Sequence, residues 1–172
     1  MAQEPTKKET TVEDLDLDAK VKVRSIAGYR TGFSRIESVG DVEVMANGVF
    51  KLARSEIIAQ TQRPNNLFNG VDGVGSHAVY YIEDAPTREY LGFDDPSEKR
   101  KQNVFSDEKV KEVFDIKSQS KFESAVREQF ITRAEKLALI ESIRRLGIND
   151  YAKIRFAENY TGFKYDAPNI KE

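Results

Sequence analysis

Gly70, Gly73 and Gly75 come nearest, by spacing, to a loop that cradles phosphate. A phosphate loop follows a strand, opens a helix and is completed by Gly-Lys-Ser/Thr. Here the glycines follow a short helical segment and lead into a strand, and no such completion exists, so they read as a turn or contact loop. Asn65, Asn66, Asn69 and Asp72 lie around them and provide oxygen ligands, but only Asp72 is charged. A calcium loop needs several carboxylates and a closing Glu. Asp94-Asp95 precede a proline and read as a turn. The chain has no cysteine and one histidine, which excludes disulfides, thiolate sites, a cysteine nucleophile and a multi-histidine metal centre. His77 adjoins Ser76, yet a catalytic histidine needs a nucleophile and an orienting acid converging on it. No such convergence is legible, so His77 reads as a structural hydrogen-bonding residue. Glu83 and Asp84 are adjacent on an extended segment and point to opposite faces, which argues against a carboxylate pair. No catalytic residue, metal or cofactor is expected, and the protein reads as non-enzymatic.

The 172 residues carry a net charge of −2, unevenly distributed. Residues 1–18 have a net charge of −4 and the remainder +2, far from a dedicated nucleic-acid binder. Lys20, Lys22 and Arg24 share one strand face, with Arg30 and Arg35 nearby, and residues 121–155 hold eight basic side chains against five acidic ones. These read as solvated mixed-charge faces. Nucleic acid remains an allowed but unfavoured partner. No apolar run approaches the 18 or so residues of a membrane span, and the N-terminus lacks the apolar stretch of a secretory signal.

The elements that must position these residues fall into two halves. Residues 1–18 read as a disordered acidic arm, since residues 3–11 include no apolar side chain. Residues 20–26 alternate strictly and predict a half-buried strand. A second strand is expected over 29–36, with Gly32 as a bulge, and a third over 41–45. Asn47-Gly48 is a hairpin signal, with 49–52 as the returning strand. Ser55 is read as the cap of a short helix over 56–62 ended by Pro64, and 77–82 as the last strand.

Beyond a polar linker over 93–103, the grammar becomes helical to residue 163, with 164–172 as a tail. Ser106 caps 107–114, and a further helix starts near Ser120. Thr132 caps 132–146 with Glu135 at the capping-box position, and Asn149 or Asp150 caps 151–160. In the 132–146 segment, Ala134, Leu137 and Ala138 fall on one side, and Leu139, Ile143 and Leu146 on nearly the opposite side. A helix apolar on two faces is sandwiched between neighbours. The expected class is α+β, with a β-rich unit over 19–92 and a compact helical unit over 104–163.

Several segments in this order carry a resemblance. They are Val21–Ile26, Arg54-Ser55-Glu56-Ile57-Ile58-Ala59-Gln60, Asn66–Gly73, Ser76-His77-Ala78 and Thr87-Arg88-Glu89-Tyr90. Gly147–Ile154 and Tyr160-Thr161-Gly162 follow. The chain resembles, over residues 19–163, short tailed-bacteriophage proteins that join a β-rich front half to a helical back half. That resemblance implies a virion-associated or morphogenesis role, a virion location after synthesis in the host cytoplasm, and no transferable catalytic or binding residues.

The expected function is therefore a virion component, capsid-associated or of head–tail connector type. It would work through multivalent contacts with other virion proteins in a symmetric, multi-copy assembly, with no membrane partner. The alternative is an intracellular phage protein that binds nucleic acid or a host factor through the basic helical face. Leu67, Phe68, Val71 and Val74 in the loop over 64–76, and Val12, Leu15 and Leu17 in the arm, are the candidate partner contacts. The loop residues either plug into a neighbouring protein or fold back as a lid on the β-rich unit.

Overall fold

A computed structural model describes residues 12–166. β1 (Lys20–Ser25) alternates exposed and buried residues along its whole length, as its sequence predicts. It is the central strand of an antiparallel sheet of order β4-β1-β5, with β4 at Val49–Ala53 and β5 at Tyr80–Ile82. β2 (Thr31–Ser34) and β3 (Asp41–Val44) pair with each other in a separate two-stranded sheet.

The pairing of the strands differs from the sequence-based expectation. The turn at Asn47-Gly48 forms, with Asn47 at φ 53° and the Gly48 N–H donating to Met45 C=O. However, it does not join two paired strands, because β3 pairs with β2 and β4 with β1. The Asn47 N–H donates to Ala27 C=O and Gly48 C=O accepts from Ser25, so the turn docks on the end of β1 and hands the chain from one sheet to the other. Pairing follows long-range burial of residues such as Val23 and Leu52, which a local turn signal does not encode. Gly32 is not a bulge: it sits in continuous register opposite Glu43. Its role is close approach, since a Cβ there would lie 2.8 Å from the Val42 carbonyl oxygen.

Ser55 is not a cap. α1 (Arg54–Thr61) follows β4 directly, from Ala53, without a side-chain cap. Two N–H groups that a helix start leaves unpaired are taken by the incoming chain: Arg54 donates to Ala19 C=O and Ser55 to Leu17 C=O. The first eleven residues of the expected arm lie outside the described residues. The rest, 12–18, begin with a 3-10 turn at Val12–Asp14 and run to this contact with α1.

The loop over 64–76 contains one helical turn, α2 (Asn66–Asn69), capped by the Asn65 side chain. α3 (Ala85–Tyr90) is not among the expected elements, although the Asp84 side chain caps it and Pro86 stands in its first turn. The remaining helices match their sequence signals. α4 (Asp107–Phe114) is capped by Ser106, and α5 (Gln119–Gln129) by Ser118. α6 (Arg133–Arg145) carries the full Thr132–Glu135 capping box. α7 (Tyr151–Thr161) is capped by Asp150 and ends at Gly162 in the left-handed region. The fold is α+β.

Two apolar clusters form the interior. The first gathers the sheets, α1, α2 and Phe93, and its centre is aromatic. Phe33, Phe50 and Phe68 meet the Tyr80 ring edge-on at 5.1–5.8 Å, and the Tyr80 hydroxyl donates to Thr31 Oγ1 at 2.8 Å. The second cluster gathers α4–α7 around Phe122, Val126, Phe130 and Ile143. α6 serves both, with Ala134 in the first cluster and Leu139, Ile140 and Ile143 in the second. The expected linker over 93–103 is more than a tether. Phe93 is 2% exposed, and the buried Asp94 accepts from Arg88 and from the Gln102 backbone N–H.

Candidate functional site

The polar groups most able to do chemistry meet where the loop after α2 crosses the N-terminus of α6. The capping box fixes one end of the site: Thr132 Oγ1 accepts the Glu135 N–H at 3.2 Å. Glu135 Oε2 in return accepts the N–H groups of Ile131 and Thr132, at 2.9 and 3.1 Å. Its other oxygen, Oε1, lies 2.7 Å from His77 Nδ1. The Glu135 side chain is 2% exposed and that of His77 12%. His77 holds φ at +60°, a region that non-glycine residues seldom occupy and that histidine tolerates better than most. Its N–H donates to Asn103 C=O, which anchors the backbone as the ring is anchored.

Asn103 is also held by Lys109, whose ammonium donates to its side-chain oxygen and to Val104 C=O at 2.9 Å. Burial pushes the Lys109 pKa below the usual lysine value, against the upward pull of Glu135 and Glu112. His77 and Thr132 also line an open-mouthed cavity of about 340 Å³, walled by Pro64, Leu67, Val71 and Val79 with Asn65 and Asn66.

In the neutral imidazole one nitrogen carries the proton, and with Nδ1 donating to Glu135 Oε1 the other, Nε2, is left as an acceptor. An acid orients a histidine in the same way in a catalytic triad, which also needs a nucleophile beside the ring. The neighbouring hydroxyls are engaged elsewhere: Ser76 bonds to Asp72, and Thr132 Oγ1 serves the cap. Sequence reasoning assigned Glu135 only its capping role. A capping-box glutamate leaves one oxygen available, but nothing in local sequence says that a histidine 58 positions away will take it.

Other buried charges hold the fold. Arg54 donates to Thr87 Oγ1 at 2.9 Å, to Asp84 at 3.2 Å and to Asp16 C=O. Arg88 pairs with Asp94 at 2.8 Å and donates to Ile82 C=O at 2.6 Å. Glu56 accepts the N–H groups of Ile36 and Glu37 at 2.8 and 2.9 Å, and the Gln60 amide at 2.9 Å. Burial alone would raise its pKa, but these bonds outweigh it and hold the carboxyl below the usual range. Asp84 is lowered in the same way, burial being outweighed by Thr87 and Arg54.

A depressed carboxylate pKa gives stability that is complete above the unfolded-state value, about 4, and is lost as pH falls through the folded-state value. Acid titration followed by circular dichroism should therefore show stability falling below about pH 4. Glu56→Gln should flatten that dependence. An unchanged acid profile in the variant would contradict the role assigned to Glu56.

Of the sequence-predicted contact residues, Leu67 and Val71 meet in the wall of the cavity beside His77 and the others lie apart from it. Phe68 is fully buried, Leu67 and Val74 pack partly buried against the first cluster, and Val71 is 56% exposed. Leu15 is half-buried, Leu17 lies at the surface, and Val12 falls in the 3-10 turn. On the strand face, Lys22 and Arg24 pair with Glu83 at 3.0 and 3.4 Å. On the helical face, Arg127 lies 5.0 Å over the Phe156 ring, Lys136 4.6 Å over Tyr160 and Arg133 5.4 Å over Tyr29. Among the described residues no three His, Asp or Glu side chains group as a metal site, and no helix is long and apolar enough to cross a membrane.

Neither a family model nor a curated protein nor a solved structure matches this chain, so any functional reading must come from its own residues and geometry.

Proposed function

We propose that this protein is a non-enzymatic bacteriophage virion component, capsid-associated or of head–tail connector type, that acts through repeated protein–protein contacts. The observation that carries the reading is the turn between β2 and β3. Its tip presents Val39 fully exposed, a large apolar side chain held entirely in solvent. The turn is nevertheless fixed: Arg35 N–H donates to Gly40 C=O at 2.9 Å, and Glu56 of α1 grips the Ile36 and Glu37 N–H groups. Gln60 adds a bond to Ser34 C=O at 2.8 Å. A contact whose backbone is already ordered loses little entropy on binding. Met45 and Val49, both more than half exposed, are separate apolar side chains at the opposite end of β3.

Burial of one such side chain stabilises a contact by about 1.5–3 kcal/mol, too little for a lone complex but sufficient when symmetry repeats it over many copies. The resemblance to tailed-phage proteins supplies the setting. Val39→Asp should leave the melting temperature of the isolated protein nearly unchanged, since an exposed substitution shifts stability by about 0.5 kcal/mol or less. Its incorporation into particles should fall about tenfold or more in competition with the native chain. Equal incorporation would remove Val39 as the contact.

A further inference from the structure

We propose that the cavity beside His77 is a binding site for a phenolic group, either a free small phenol or a tyrosine side chain. This inference does not depend on the virion reading. It starts from the polar atom the site leaves over. His77 is tied at its backbone N–H by Asn103 and at Nδ1 by Glu135, while Nε2 has no partner among the described residues. The His77 side chain is 12% exposed and the residue lines the open-mouthed cavity, so the ring is not sealed from solvent. A residue tied once through its backbone and once through its ring, on a backbone at φ +60°, holds that acceptor in one place. Backbone conformations of this kind persist where the surroundings enforce them and cluster at ligand sites.

The character of the ligand follows from the lining. Pro64, Leu67, Val71 and Val79 make one side apolar, and about 340 Å³ is room for a single ring with a short substituent. The Asn65 amide is already committed, accepting from Leu67 N–H and donating to Gln60. The fixed acceptor therefore calls for a ligand with an apolar body and one donor. An ammonium brings three donors, more than His77 Nε2 and the Asn66 amide oxygen accept, and a carboxylate brings no donor for Nε2. A phenol has the slender apolar ring and a single O–H, more acidic than an aliphatic hydroxyl and so a stronger donor to imidazole.

The chain's single histidine makes the test direct, because one imidazole accounts for all histidine ring signals. The full chain, labelled with ¹⁵N in its histidine, is titrated at mildly alkaline pH with 4-ethylphenol and, separately, with 4-ethylanisole, which keeps the shape but lacks the donor. The expected result is a saturable shift of the Nε2 resonance with the phenol, and binding about fivefold or more weaker for the ether. Val71→Asp, at an exposed rim position, should weaken phenol binding severalfold while the protein stays folded. A parallel titration with N-acetyl-tyrosinamide against its O-methyl ether separates the sources. Preference for the free hydroxyl there assigns the site to tyrosine of a polypeptide, and preference with 4-ethylphenol alone assigns it to a small phenol. No saturable shift of Nε2 with either hydroxyl compound, or equal binding of phenol and ether, overturns the proposal. Particle incorporation plays no part in this measurement, so its failure leaves the virion reading standing, and the reverse also holds.

Discussion

Phe68→Ala is expected to lower the stability of the isolated protein by about 3–5 kcal/mol, read as a shift of the denaturant midpoint at unchanged slope. Phe68 is 0% exposed and meets Phe33 and Tyr80 edge-on, each with ring centroids 5.1 Å apart. Truncation removes the ring's transfer free energy and leaves a cavity whose walls belong to two sheets, which cannot collapse together without breaking their registers. The same substitution decides between the two roles the sequence allowed for the loop. A lid residue destabilises the monomer when truncated. A partner anchor leaves the monomer intact and lowers incorporation into particles. The burial of Phe68 makes the first outcome the expected one. A variant as stable as the native chain would show that the ring does not close this core.

Glu135→Ala should have a comparable effect, a loss of about 3–5 kcal/mol. The carboxylate is 2% exposed and accepts from His77, Ile131 and Thr132, so its removal strands three donors around one hole. A buried donor left unpaired costs about 1–3 kcal/mol. Glu135→Gln keeps the volume and one acceptor oxygen, and should recover part of the loss. Calorimetric unfolding of the two variants checks both statements. Equal stability of Glu135→Ala and the native chain would mean that the bond between loop and helix contributes nothing.

The parts of the fold legible in sequence were those whose signals are local. Ser106, Thr132 and Asp150 cap the helices they precede because a cap needs only a side-chain oxygen and a nearby N–H. The two-faced apolar pattern of α6 placed it correctly between neighbours, since Ala134 and Ile143 do enter different clusters. Pairing was less accessible. Asn47-Gly48 turns as its residues require, but which strand the chain then meets depends on Val21 and Val23 of β1. The six residues of α3 are too few to show a period, although Asp84 and Pro86 are the available clue. The His77–Glu135 contact joins two loop-and-cap features, each complete in its local reading, and only the tertiary fold brings them to 2.7 Å. Val39 shows the same limit in reverse. One valine in a polar turn is unremarkable in sequence, and its meaning comes from the rigidity that Glu56 gives the turn.

The proposed virion role is tested most directly by quantitative mass spectrometry of purified, nuclease-treated particles of the tailed phage proposed to encode this chain. The account predicts peptides from it at a fixed multi-copy ratio to the major capsid protein, unchanged through a second density gradient. Absence at any level above trace, with the protein abundant in the infected-cell lysate, would contradict it.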